Sequence, residues 1–232
     1  MYRIAGLNVS ISNGGALLAE RAEAYRYGNM EAADIAIDLP HEVLRRMHDA
    51  HPYLTEEECA YIVTGDEFSY NLIKHEGLRL HASAVVLDGQ AYLFSAPSGT
   101  GKSTHTALWC DYFGPDRSYV LNDDAPIIKW SGNGFLAWGS PWCGTAPINK
   151  NAGVPLKAIA FLERSQSNWV RPMEYGESIV CLMEQTRSTR NPKRMEQLMS
   201  LLERLMKTVP IYRLGCNMSC GAVETAYSAM NK

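Results

Sequence analysis

The residues with the clearest chemistry form one run, Ala96-Pro97-Ser98-Gly99-Thr100-Gly101-Lys102-Ser103-Thr104. Gly99 and Gly101 allow backbone N–H groups to close around phosphate oxygens, and a following helix would add the positive end of its dipole. Lys102 offers a point charge to β- and γ-phosphates, and Ser103 a hydroxyl to Mg²⁺. Ser98, Thr100 and Thr104 complete the candidate nucleotide-binding set, which makes ATP and Mg²⁺ the expected cofactors. Ala96 stands where the usual G-x-x-x-x-G-K-[ST] pattern has its first glycine. Downstream, Asn122-Asp123-Asp124 ends a short apolar strand, 119–121. One carboxylate there can hold Mg²⁺ or its water shell, and a second can take a proton from an attacking hydroxyl. The same triplet is also ordinary turn chemistry.

Elements must bring these groups together. Ala91-Tyr92-Leu93-Phe94 reads as a buried strand feeding the loop, and residues 104–109 as the first turns of a helix. The strand before it, 80–87, carries His81 near its start. Asp88-Gly89 then predicts a hairpin turn. Antiparallel pairing would carry His81 to the loop end of its partner, within reach of Asp123 or of the γ-phosphate position.

Residues 1–75 read as a small α+β portion, and residues 76–232 as a strand-rich domain closed by C-terminal helices. In the first, strands are expected at 2–11 and 33–39. Helices are expected at 17–27, 41–50 and 66–74, and Thr55-Glu56-Glu57-Glu58 has the character of a capping box. In the second, 127–130 and 135–138 form a hairpin around Ser131-Gly132-Asn133-Gly134, with strands at 156–162 and 209–214. Helices follow at 177–184, 193–207 and 221–230. The alternating βαβα pattern of common phosphate-loop proteins is not seen after Lys102.

The chain has 232 residues, 46% hydrophobic, enough for one substantial core. A net charge of −3 gives no electrostatic case for nucleic acid or an anionic membrane. No apolar run approaches a membrane span, and no signal-peptide pattern opens the sequence. The six cysteines are scattered; Cys216 and Cys220 lack the neighbours of a zinc site. Reduced thiols and a cytoplasmic location are the expectation.

His81, the run from Ala96 to Thr104 and the Asp123-Asp124 pair occur in the order found in HPr kinase/phosphorylase, and the chain resembles that group over roughly residues 78–215. Phosphoenolpyruvate carboxykinases share the same nucleotide-binding core. Leu80-His81-Ala82-Ser83-Ala84 and Gly139-Ser140-Pro141-Trp142-Cys143-Gly144 look closer to the HPr-kinase-related proteins than to the regulator itself. The resemblance implies an α+β/α/β fold with a carboxykinase-like phosphate-loop core. It implies ATP-dependent phosphoryl transfer to a hydroxyl of a small molecule, peptide or protein. By the same carry-over, Asp123 is the base, His81 its tuning partner, and Asp124 and Ser103 the metal ligands. The glycine-rich stretch with an arginine that follows the family's core is not matched here, and Pro141 to Asn151 takes its place. Substrate contacts are therefore expected from Trp142, Lys150 and Asn151, with Arg187 and Arg190 as charges for the transferring phosphate. A regulatory module that binds ATP without turnover, and a kinase that also runs the phosphorylase reaction, are the alternatives.

Overall fold

A computed structural model describes residues 1–28, 32–187 and 189–232. Among the described residues it is a mixed α/β structure with seven α-helices and two sheets. The smaller sheet orders β1 (Tyr2–Ile4), β2 (Leu7–Ser12) and β3 (Ile35–Asp38) in sequence. The expected strand 2–11 is thus a hairpin: Ala5 and Gly6, both at positive φ, make a two-residue turn between Ile4 and Leu7. Helices α1 (Gly15–Arg21), α2 (His41–Ala50) and α3 (Glu56–Leu72) complete this portion. α3 runs without a break through both segments read separately from the sequence. Thr55 and Glu58 cap its start reciprocally, and a buried Gly65 lies inside it.

The larger sheet contains β4 (Gly77–Arg79), β5 (Ala82–Leu87), β6 (Gln90–Ser95), β7 (Ser118–Asp124), β8 (Ile127–Trp130), β9 (Phe135–Trp138), β10 (Gly153–Arg164), β11 (Trp169–Pro172) and β12 (Ile211–Cys216). Its main path is β4-β8-β9-β10-β6-β5-β7, with β12 paired to β10 and β11 to β12. β10 joins two regions. Residues 153–155 pair antiparallel with β9, and later residues pair in parallel with β6 and β12. Every residue of β5 is buried, as expected of a strand covered on both faces.

On one face, α5 (Tyr175–Gln185) and α6 (Pro192–Thr208) bury Leu182, Leu198, Leu202 and Leu205 against Leu93, Leu121 and Ile159. On the other, α4 (Lys102–Phe113) and α7 (Cys220–Met230) bury Trp109, Val223 and Ala226 against Tyr92, Phe94 and Ala160. Phe68 and Leu72 of α3 share a third cluster with Ala125, Ile127 and Trp142, so the N-terminal portion packs directly on the site region. No helix among the described residues is long and apolar enough to cross a membrane.

Candidate functional site

β5 and β6 pair from Ala82↔Ser95 to Leu87↔Gln90, and the Asp88-Gly89 turn between them has both residues at positive φ. β6 leads into the glycine-bearing loop and α4 follows, giving the strand–loop–helix order. Gly99 and Gly101 sit at φ 75° and 122°. A Cβ at either would meet open space, so backbone conformation rather than crowding calls for glycine. α4 begins without a side-chain cap and has no acidic residue in its first turn, so its orphan N–H groups stay open to an anion. Lys102 is buried and donates from Nζ to the Ala96 carbonyl at 3.0 Å. Burial pushes its pKa down, opposed by the charges of Asp124 and Asp123. Arg164, at the end of β10, donates to the carbonyls of Gly99 and Thr100. Ser98 and Thr104 are exposed.

The acidic triplet lies within β7 rather than in a turn after it. Asn122 is fully buried. It donates to the Ser140 carbonyl at 2.9 Å and accepts from the Ala125 N–H at 2.9 Å, which fixes the strand's exit. Alternation along the strand then separates the two carboxylates. Asp123 accepts from Ser103 Oγ at 2.9 Å, while Asp124 Oδ1 lies 3.2 Å from His81 Nε2. This corrects the pairing of His81 with Asp123: the neighbouring residue points to the other side and meets the ring. Asp124 has φ 104°, a conformation L-residues rarely hold, with a strain of order 1–3 kcal/mol. Its burial pushes the carboxyl pKa up. The His81 hydrogen bond and the charges of His81, Lys102 and Arg79 outweigh that and hold it below the ordinary value.

His81 itself lies one residue before β5 and is held on three sides. Its N–H donates to the Gln185 carbonyl at 2.8 Å, its carbonyl accepts from Ser95 Oγ at 2.8 Å, and Nδ1 is 3.0 Å from Gln185 Oε1. The ring thus bridges two partners, Nδ1 toward the Gln185 amide and Nε2 toward Asp124.

Beyond His81 and Asp124 a cleft of about 530 Å³ opens. None of the loop residues lines it; its walls include Tyr61, Asp66, Arg79, Trp142, Thr186 and Arg187. Asp66 Oδ1 accepts from Arg79 Nη2 at 3.2 Å and from Arg187 Nε at 2.8 Å. Trp142 is a packed residue of the wall, stacked on Phe68 with ring centroids 4.7 Å apart. Its indole N–H donates to Thr64 Oγ1 at 3.3 Å. The chain beside it is held by Tyr61 and Arg21. Tyr61 Oη accepts from the Cys143 N–H at 2.7 Å, and Arg21 donates to the carbonyls of Cys143 and Gly144. Burial pushes the Tyr61 phenol up to about 12, so it stays a neutral hydroxyl.

Of the five residues expected to contact substrate, Trp142 and Arg187 line this cleft and three do not. Lys150 Nζ lies 4.0 Å from the centre of the Tyr119 ring. Asn151 donates to the Ala24 carbonyl, and Arg190 is exposed outside the lining. Lys150 and Asn151 sit where the segment 141–151 runs along β7 and the N-terminal portion, outside the cleft lining. Arg79, Asp66, Tyr61, Gln185 and Thr186 were not singled out in the sequence. Each is an unremarkable polar residue in its local context and becomes a wall only through long-range packing.

Fold and site define a mixed α/β protein in which a strand–glycine loop–helix edge meets a polar cleft across a carboxylate pair. Residues 66–227 match the family described as SynChlorMet cassette protein ScmC. That match spans more than half of the chain, and the chain belongs to the ScmC family. No curated protein matches significantly. Among solved structures, the chain is similar to the HPr(Ser) kinase/phosphatase from Coxiella burnetii at 12% identity, with a TM-score of 0.37. The alignment covers 66% of this chain and 99% of that one. A likeness this distant establishes neither a shared phosphate-loop core nor a shared activity.

Proposed function

We propose that the chain is an ATP- and Mg²⁺-dependent phosphotransferase that moves the γ-phosphoryl group to a hydroxyl. One observation carries this reading. Lys102, at the open start of α4, lies within charge range of two carboxylates with separate partners, Asp123 on Ser103 and Asp124 on His81. Phosphoryl transfer needs little more than positioning and charge, and this edge offers both.

The donor set fits Mg²⁺. Ser103 and Asp123 supply two adjacent oxygens, and among the described residues there is no cluster of three His, Cys, Asp or Glu side chains that would make an all-protein cage. Mg²⁺ commonly takes one or two protein oxygens and completes its shell with phosphates and water. Bound there, it would neutralise charge developing on the β- and γ-oxygens. Lys102 and the first-turn N–H groups of α4 hold the phosphates. The acceptor hydroxyl enters from the cleft. Its oxygen forms the new bond to the γ-phosphorus as the bond to the β–γ bridging oxygen breaks and ADP leaves. Asp124 receives the hydroxyl proton, with His81 fixing the carboxylate and able to pass the proton on. The two aspartates thereby exchange the roles that the family resemblance implied.

The test is calorimetric titration with ATP and Mg²⁺, followed by transfer of label from γ-labelled ATP in an extract of small molecules and peptides. Binding that weakens by about 2–5 kcal/mol in Lys102→Ala is expected, the cost of removing one member of a buried charge pair. Equal binding by wild type and variant would overturn the reading.

A further inference from the structure

The cleft's walls restrict what the acceptor is. Two guanidinium groups converge on one carboxylate oxygen, Asp66 Oδ1, so this trio carries one uncompensated positive charge. Asp124 also lines the cleft and shares its charge with His81, Lys102 and Arg79, and Glu184 stands at the exposed rim, where water screens it.

The donors are largely unused. Arg79 uses only Nη2 and Arg187 only Nε on protein acceptors among the described residues. The Arg79 side chain is only 14% exposed, yet none of its nitrogens is sealed from solvent without a partner. Arg79 lines the cleft, with Nη1 beside Gly65 of α3. The Trp142 ring lies 5.9 Å from the Arg79 guanidinium carbon. On the same wall, Thr186 is 9% exposed and its buried hydroxyl has no partner among the described residues. Guanidinium forks left partly desolvated and unpaired are costly, and a planar oxyanion satisfies them two bonds at a time. The cleft's volume is that of a small-molecule site.

On the phosphoryl-transfer reading, on which this inference rests, we propose that the acceptor is a small hydroxyl compound bearing a carboxylate or phosphate. Arg79 and Arg187 hold its oxyanion, and its hydroxyl meets Asp124. Asp66 is the positioning residue that keeps the two forks together.

Three probes on one three-carbon frame test this: glycerol, D-glycerate and sn-glycerol 3-phosphate. Each is titrated into nucleotide-free protein while the arginine side-chain N–H resonances are followed. At least one anion is expected to shift the Arg79 and Arg187 signals and to bind at least about tenfold more tightly than glycerol, the worth of one charge-assisted bond. Tighter binding of glycerate assigns a carboxylate, and tighter binding of glycerol phosphate a phosphate. Arg79→Gln and Arg187→Gln should each abolish the preference, whereas Lys102→Ala, which disables the phosphate loop, should not. Arg187 is 60% exposed, so its variant keeps the fold even if Arg79→Gln does not. Equal binding of glycerol and both anions, or anion binding indifferent to Arg187→Gln, overturns the proposal. Loss of the kinase reading has a different signature: no Lys102-dependent ATP binding, with the oxyanion preference intact.

Discussion

The loop edge and the cleft are built in opposite ways. The loop edge is one continuous stretch, 96–104, and works mostly with main chain: two glycines at positive φ, open N–H groups and a single lysine. The cleft is a set of side chains from five separated places, 61–66, 79–81, 124–125, 142–143 and 183–187. On the proposed reading, the first construction would hold a polyphosphate whatever is attached to it, because backbone donors do not read a substituent. The second fixes side-chain charges at set positions and would tell one acceptor from another. On that reading, generic and selective functions are divided between local and long-range structure, and the two meet at His81 and Asp124.

That division can be broken by substitution. The largest effect is expected at the meeting point. Asp124→Asn should depress phosphoryl transfer by about two to four decades, the usual worth of a positioned proton acceptor. ATP affinity should stay near wild type. Asp123→Asn should do the reverse, losing Mg²⁺-dependent ATP binding first. Titration and transfer assays on both variants check the pair, and equal profiles would erase the distinction between the carboxylates.

Acid should act next, through a residue behind the loop. His105 lies behind the loop in the first turns of α4. It is 2% exposed, accepts from the Trp109 indole N–H at 3.0 Å and packs edge-on against Phe94. Burial pushes its pKa down to about 4. The unfolded chain therefore binds this proton first as pH falls. The stability is whole above about 6.5 and is lost progressively between 6.5 and 4, up to about 3 kcal/mol. Urea midpoints at neutral and mildly acidic pH should show this slope in wild type and a shallower one in His105→Gln.

A smaller effect is expected at Gly101. An alanine there meets no neighbour but must adopt φ 122°, so Gly101→Ala should cost about 1–3 kcal/mol in stability or in ATP affinity. Thermal melts and ATP titration separate the two. The smallest effects are expected where the sequence suggested substrate contacts and the cleft does not reach. Asn151→Ala and Arg190→Ala should each change stability by less than about 0.5 kcal/mol and leave transfer unchanged.

These differences also explain what could be read from the residues in order. The hairpin through Asp88-Gly89, the strand into the loop and the helix after it are local, and each has a local cause in turn chemistry or periodicity. The Asp pair was visible as a pair. Its division of labour was not, because it depends on β7 continuing through Asp124 and on which face of that strand His81 meets. Arg79 and Asp66 had no local signature at all. They come together because α3 runs unbroken past Gly65, where a Cβ would lie 2.5 Å from Arg79 Nη1 and 2.9 Å from the Trp142 ring. Lys150 and Asn151 looked like substrate contacts because loop residues often are, but Lys150 lies over the Tyr119 ring and Asn151 donates to the Ala24 carbonyl.

Arg164 has a further consequence. A trans peptide points its C=O and N–H in opposite directions. By drawing the Thr100 carbonyl toward itself, Arg164 turns the Gly101 N–H the other way, and a Thr100 N–H bond to the Pro97 carbonyl closes the turn from inside. The loop is held from β10, with β6 and β5 between it and the acids, so on the proposed reading its shape would not wait for a phosphate to arrive. Arrival would then need little rearrangement. The encounter should approach the speed of simple docking, with the time spent on each nucleotide set by how fast it leaves.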